Sequence, residues 1–180
     1  MRPVIVVDYD PTWPATFERL RAPIWAVVSD IALAIEHVGS TSVPGLAAKP
    51  IIDISVVVPD GSAVRIGIER LAALGYEHQG DLGIDGREAF RAPASLPAHN
   101  LYVCPDGNLV GLVNQVTVRD YLRAHPDVAR QYGELKKTLA ARFPNDITSY
   151  VVGKTDFVLG VLRAAGLSPA ELETIRRANA

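Results

Sequence analysis

Cysteine is all but missing: Cys104 is the single one in 180 residues. No internal disulfide can form, and one thiolate does not make a metal site. Long apolar runs are missing too, and no stretch reaches the ~18 residues that a membrane span needs. There is no Lys/Arg-rich tract, and 18 basic against 20 acidic side chains leave a formal net charge of −2. That balance argues against a protein that coats extended nucleic acid by bulk electrostatics, although it leaves room for a local basic pocket. No repeat, low-complexity tract or Ser/Gly linker interrupts the chain. P-loop and dinucleotide glycine fingerprints are absent, as is a nucleophile elbow for a Ser-His-Asp triad. The apolar run Val4–Val7 meets Asp8 at once and is too short for a signal peptide. What is there is ordinary globular material, 48% apolar and 21% charged. The expectation is one soluble, cytoplasmic domain over residues 1–180, sheet-rich to 106 and helical from 107 onward.

Local patterns set the expected elements. Val4–Val7 reads as a short strand that stops at the turn Asp8-Tyr9-Asp10-Pro11. Phe17, Leu20, Ile24, Val27 and Ile31 mark a helix from Thr12 to about Leu33, with Pro23 predicting a kink or break. Ile35–Val38 and Pro50–Val58 read as strands, the second strongly apolar and buried. Ser62 to Leu74 is a helix stopped by Gly75, and Tyr76–His78, Glu88–Arg91 and Leu101–Cys104 are further strands. Residues from Leu109 to Arg123 are ambiguous, since β-branched valines compete with helical spacing. Beyond Pro126, Val128, Tyr132, Leu135, Leu139 and Phe143 form one helical stripe, and Ile147, Tyr150, Phe157 and Val161 another. Ser168-Pro169-Ala170-Glu171 is a capping box that opens a terminal helix. The sum is an α+β fold: a small mixed sheet with flanking helices and a helical C-terminal third.

Chemistry concentrates between Glu36 and Ser55. A strand runs into Gly39-Ser40-Thr41-Ser42, where glycine admits a ligand to the backbone and three hydroxyls cluster. A short helix opening there would present unpaired N–H groups to a phosphate. The chain then returns as an apolar strand interrupted by Asp53, a carboxylate that is costly among Ile51, Ile52 and Ile54 unless paired, hydrogen-bonded or bound to a cation. Strand alternation places Ser55 on the same face as Asp53. The pair offers two oxygens beside a hydroxyl-rich turn.

A Gly-Ser turn followed by a strand bearing Asp-x-Asp or Asp-x-Glu resembles the nucleotidyltransferase superfamily typified by DNA polymerase β. The longer string from His37 to Ile54 more specifically resembles the GrpB family of bacterial proteins. The likeness extends to Tyr9-Asp10-Pro11-x-Trp13-Pro14, the strand His99-Asn100-Leu101-Tyr102-Val103, Arg119 to Pro126, and Tyr150-x-x-x-Lys154. It implies a nucleotidyltransferase-like mixed sheet, a nucleotide or phosphorylated small molecule as ligand, and Mg²⁺ as cofactor with Asp53 as its ligand. Some actinobacterial dephospho-CoA kinases carry a similar domain, which hints at nucleotide metabolism. The superfamily holds two Mg²⁺ ions with three carboxylates. Here Ser55 takes the second position and the strand His99–Val103 brings no acid, so Asp81, Asp85 or Glu88 would have to supply one. One carboxylate still suits a single Mg²⁺ carried in on a nucleotide.

Around this core stand further candidates. Asp53 and Lys49 are the expected catalytic residues, Lys49 being either a solvated turn lysine or a phosphate contact. Gly39, Ser40, Thr41, Ser42 and Ser55 would line the ligand. Arg87 and Arg91 flank a short strand and are either surface charges or an anion clamp. His99 shares a strand with Asn100 and Tyr102, and the last two are favoured to face the pocket. Lys154 sits in an apolar helical stripe, where it either snorkels to the rim or reaches into a polar cavity. His37 reads as a core histidine, and Cys104 as a buried or half-buried thiol. Three functions compete: a Mg²⁺-dependent transferase, a binding module that has lost the metal triad, and a partner-stabilising domain.

Overall fold

Asp10 ties down the first helix: its carboxylate accepts from Thr12 N at 2.8 Å and Thr12 Oγ1 at 2.7 Å. In the computed structural model, which describes residues 3–178, that helix is α1, Trp13–Val28. Pro23 does not break it. The proline lies on the exposed side, so the Arg19 carbonyl that loses its N–H partner is left to solvent rather than to the core. α1 stops short of Leu33, because the chain turns at Ser29 and Asp30, and Leu33 N donates to Val57 O at 2.8 Å at the sheet. Val4–Val7 is not a strand. Val7 makes a single bridge to Ala48, while Val4 is buried beside Leu139, Ala140 and Tyr150.

β1 (Ala34–Val38) leads through a one-turn 3₁₀ segment, Ser40–Ser42, and a loop to β2 (Ile52–Val58). α2 (Gly61–Ala73) follows, its N-terminus capped by the Asp60 side chain. Then come β3 (Glu77–His78), β4 (Glu88–Arg91) and β5 (His99–Pro105). The strand order is β1-β2-β5-β4-β3. β2 and β5 are parallel and the other pairs antiparallel, which gives the expected mixed sheet.

One face of the sheet is the main core. Ile52, Ile54, Val56, Leu101 and Val103 pack against Phe17, Leu20, Ile24 and Val28 of α1 and Val64 and Leu71 of α2. The ambiguous segment resolves into a π-turn, Leu109–Val113, and α3, Asn114–Ala124. Here helical spacing prevails over β propensity because Leu112 and Val116 pack onto Val57 and Cys104 on the opposite face of the sheet. α4 (Pro126–Arg142), α5 (Ile147–Ala164) and α6 (Pro169–Ala178) complete the helical third. The capping box forms as expected: Glu171 Oε2 accepts from Ser168 N at 2.8 Å. None of the described helices is long and apolar enough to cross a membrane.

Candidate functional site

Strand register brings the site together. Asp53 in β2 lies opposite Val38 of β1 and beside Asn100 of β5. Asn100 Nδ2 donates to Asp53 Oδ1 at 2.7 Å. Directly after β1 comes Gly39, at φ 69° and ψ −174°, a conformation that side chains rarely adopt. A Cβ at Gly39 would run into Asp53 Oδ2. Loop and carboxylate are therefore in direct apposition, and both line one hollow of about 270 Å³.

The far wall of that hollow is helical, and it is cationic. Lys136 and Tyr132 come from α4, and Lys154 and Tyr150 from α5; Lys49 comes from the loop before β2. Lys154 Nζ lies 4.6 Å from the centre of the Tyr150 ring, and Lys49 Nζ lies 5.8 Å from it. Lys136 Nζ is 4.6 Å from the Tyr132 ring. Lys136 is 2% exposed, and its ammonium nitrogen has no hydrogen-bond partner. Burial, then the neighbouring Lys154, push Lys136 down to about 6, with Asp53 opposing. Lys154 is lowered to about 8 by burial and Lys49. Burial raises Asp53 above the ordinary carboxylate range against the pull of Asn100 and the three lysines.

Arg119 of α3 also reaches the hollow, but its charge is spent. It is 9% exposed and bonds Glu36 Oε2 at 2.5 Å, Asp120 Oδ1 at 2.7 Å and His37 O at 3.1 Å. Among the described residues, Asp53 is left as the sole carboxylate lining a hollow that holds three lysines.

Several expected ligands lie elsewhere. Ser55 shares Asp53's face but is 0% exposed and has no hydrogen-bond partner. It is flanked in register by Glu36 and Tyr102, and α3 closes over β1 through the Arg119–Glu36 pair. His99 points into the opposite face, where its Nε2 meets Tyr76 Oη at 2.8 Å and its Nδ1 meets Pro97 O at 2.7 Å. Arg91 is held at the sheet edge by Glu77 at 3.0 Å, so Arg87 and Arg91 do not form a clamp. Tyr102 stands under Arg87, whose guanidinium lies 4.5 Å from the ring centre, and does not line the hollow. Arg87 itself lines a second groove, which adjoins the hollow and shares Asn114, Gln115, Lys154 and Val158 with it.

The hydroxyl loop is also less available than its sequence implies. Ser42 Oγ donates to Gly39 O at 2.5 Å, and Thr41 Oγ1 is hydrogen-bonded to His37 Nε2 at 3.0 Å. Only one 3₁₀ turn forms, not a helix that could present its N-terminus. Ser40 and Thr41 both line the hollow, and Thr41 is the one already engaged by His37. His37 is a core residue as read, stacked on Phe17 at 4.7 Å and lowered to about 4 by burial and the nearby arginines. Cys104 is buried, with its thiol pushed up to about 11.

Lys136 was missed in the sequence although its signal was present. It follows Tyr132 by four and precedes Ala140 by four, so it belongs to a buried stripe, as Lys154 does after Tyr150. Its neighbour Lys137 hid it. That lysine is a surface residue paired with Asp8 at 2.8 Å, and together they look like a solvated dipeptide.

The donors do not fit a pair of Mg²⁺ ions. One Asp53 oxygen already accepts from Asn100, and Glu36 is engaged by Arg119. Asp81 accepts from Gly83 N at 2.8 Å, and Glu88 binds His78 at 2.5 Å, both away from the hollow. No cluster of three His, Cys, Asp or Glu side chains exists among the described residues.

The sheet and its helices have the nucleotidyltransferase-like fold. The structure aligns with that of the GLD-2/RNP-8 complex at a TM-score of 0.60 and 16% identity, covering 92% of this chain and 64% of that one. It aligns with the Cid1 poly(U) polymerase bound to MgGTP at 0.55 and 14%, covering 76% and 45%. At such identities the likeness concerns the fold. The chain belongs to the GrpB family, described as GrpB protein, which matches residues 3–164. A crystal structure of conserved protein GrpB from Enterococcus faecalis superposes at a TM-score of 0.80 with 34% identity, covering 94% of this chain and 98% of that one. The glutamate-rich protein GrpB of Alkalihalophilus pseudofirmus is 35% identical, over 88% of this chain and 94% of that protein. The UPF0157 protein YqkA of Bacillus subtilis is 37% identical over 87% of this chain, which spans only 46% of YqkA. A dephospho-CoA kinase of Mycolicibacterium paratuberculosis is 28% identical over 91% of this chain and likewise spanned for 46% of its length.

Proposed function

We propose that the hollow binds the phosphate of a phosphorylated small molecule or nucleotide, with lysine ammonium groups rather than metal ions supplying the positive charge. The observation that carries this reading is Lys136, an amine with 2% exposure and no partner, set among Lys49 and Lys154 with one acid present. An unpaired buried polar group destabilises a fold by about 1–3 kcal/mol. A phosphate brings three acceptor oxygens, and charge-assisted hydrogen bonds to them are roughly twice as strong as neutral ones. Ser40 and the Asn100 amide line the same hollow as further polar groups.

The adjoining groove past Asn114 and Gln115 toward Arg87 gives the rest of such a ligand room to extend. The kinase relative favours a ligand from nucleotide metabolism, and a cytoplasmic location accompanies that reading. Transfer through two metal ions is not part of the reading, because among the described residues Asp53 is the one carboxylate that lines the hollow. A Mg²⁺ ion enters only as a passenger on the ligand's phosphates, with Asp53 as its one protein carboxylate.

Thermal-shift measurements with phosphate, pyrophosphate, AMP, ATP and adenosine test the reading, each in EDTA and again in Mg²⁺. Phosphorylated ligands raise the melting temperature in EDTA and adenosine does not; a ligand at a hundredfold its Kd adds about 2.7 kcal/mol. Lys154→Met removes the shift. No shift with any phosphorylated compound would leave the partner-stabilising role in its place.

A further inference from the structure

We propose that Lys136 is a covalent site: its amine condenses with the carbonyl of a phosphorylated aldehyde or ketone to form an imine. The proposal rests on the phosphate reading of the hollow and adds a reaction to it.

Geometry sets Lys136 apart from the chain's other lysines. Its nitrogen is buried and has neither a carboxylate partner nor a hydrogen bond, and its side chain is one of those that line the hollow. Lys137 beside it is ion-paired to Asp8 and Glu134. A nucleophilic amine must carry a free lone pair, and enzymes obtain one by desolvating lysine next to a second cation. Both conditions hold here. α4 buries Lys136 against Tyr132, and Lys154 of α5 repels its proton. Held at about 6, the amine is mostly the free base at neutral pH.

Lys154 and Lys49 stay available for a phosphate on the same ligand, since neither has a carboxylate partner among the described residues. A phosphate anchored there would turn the encounter with Lys136 into a positioned, effectively unimolecular step.

The chemistry balances without an oxidant or reductant. The Lys136 lone pair attacks the carbonyl carbon, and one of the two amine protons passes to the oxygen to give a neutral carbinolamine. The nitrogen then gives up its second proton, the C–O bond breaks, and water leaves as C=N forms. Asp53 lines the same hollow, and its carboxylate can take that second proton from the nitrogen and pass it to the departing oxygen.

Pyridoxal 5′-phosphate serves as the probe, with borohydride reduction and peptide mass spectrometry as the readout. Two comparators separate the claims: pyridoxal has the aldehyde without the phosphate, and pyridoxine 5′-phosphate has the phosphate without the aldehyde. The expected result is a reduced adduct on Lys136, about tenfold more from pyridoxal 5′-phosphate than from pyridoxal at equal concentration, or roughly 1.4 kcal/mol of guidance. Lys136→Met and Lys136→Arg lose the adduct while circular dichroism shows both still folded, and stabilisation of the native chain by pyridoxine 5′-phosphate reports the phosphate site separately. If pyridoxine 5′-phosphate stabilises the native chain but label settles on other lysines and spares Lys136, the covalent step is wrong and the phosphate site stands. If pyridoxine 5′-phosphate gives no stabilisation and the two aldehydes label alike, the phosphate reading itself fails, and this proposal with it.

Discussion

Gly39 is packed so closely on Asp53 that a methyl group in place of its hydrogen would collide with Asp53 Oδ2. This contact fixes where the loop after β1 sits and keeps the carboxylate turned toward Asn100. It also explains why a glycine is needed at that point, beyond the positive φ.

Gly39→Ala is expected to destabilise the protein by about 2–4 kcal/mol, combining backbone strain with the collision. Combining it with Asp53→Ala removes most of the collision, so the double variant loses less than the sum of the two single losses. A urea-denaturation double-mutant cycle measures the coupling. Simple additivity would show that the two residues are not in contact.

Lys136 makes stability depend on pH with a definite sign. Its folded value, about 6, lies below the ordinary lysine value of 10.5. Between those limits the unfolded chain binds more protons than the folded one, so stability rises with pH. Lys154, at about 8, adds to the rise above pH 8. Lys136→Met is expected to gain stability at pH 7 and to lose the part of the slope that one proton contributes, about 1.4 kcal/mol per pH unit at most. Chemical denaturation at pH 7, 8 and 9 tests this. An unchanged slope in the variant would show that Lys136 titrates as an ordinary surface lysine does.

Ligand binding follows the same electrostatics in reverse. Inorganic phosphate, which has no carbonyl to engage the amine, favours the ammonium form of Lys136 and raises its pKa, so its binding near pH 7.5 takes up protons from the buffer, one at most from this amine. Calorimetry in two buffers of different ionisation enthalpy reads that uptake directly. Equal heats in both buffers would mean that the amine is not at the phosphate.

Arg119 carries structural weight at the rim. Arg119→Met strands the Glu36 carboxylate and the His37 carbonyl, and is expected to cost about 2 kcal/mol or more, since the lost partner was buried. Arg119→Lys recovers little, because one ammonium cannot hold Glu36, Asp120 and the His37 carbonyl at once. Thermal melts of both variants decide the point.

The sequence made the architecture legible where local rules dominate. The apolar run of β2, the helical stripes and the Ser168 capping box each form as read. It misled where tertiary contacts decide. Pro23 is tolerated because it faces water. Val4 finds its partners in α4 and α5, not in the sheet.

Within the site, alternation favoured Asn100 and Tyr102 as facing the pocket and put Ser55 with Asp53, yet of Asn100, Tyr102 and Ser55 only Asn100 lines the hollow. Sharing a strand face does not mean sharing a cavity, and α3 seals the position of Ser55. Hydroxyls in the loop looked like ligands because nothing local reveals that Thr41 bonds a histidine and Ser42 bonds the loop's own backbone. Lys136 was legible in principle, by the criterion that exposed Lys154, but the adjacent surface lysine concealed it.

The central claim is that lysines, and not metal held by Asp53, give this hollow its affinity for phosphate. Titration of pyrophosphate in EDTA into the native chain, Lys154→Gln and Asp53→Asn tests it most directly. Binding without Mg²⁺ that weakens at least tenfold in Lys154→Gln, equivalent to about 1.4 kcal/mol, and holds or tightens in Asp53→Asn is the predicted result. Binding that appears only with Mg²⁺ and vanishes in Asp53→Asn would contradict it.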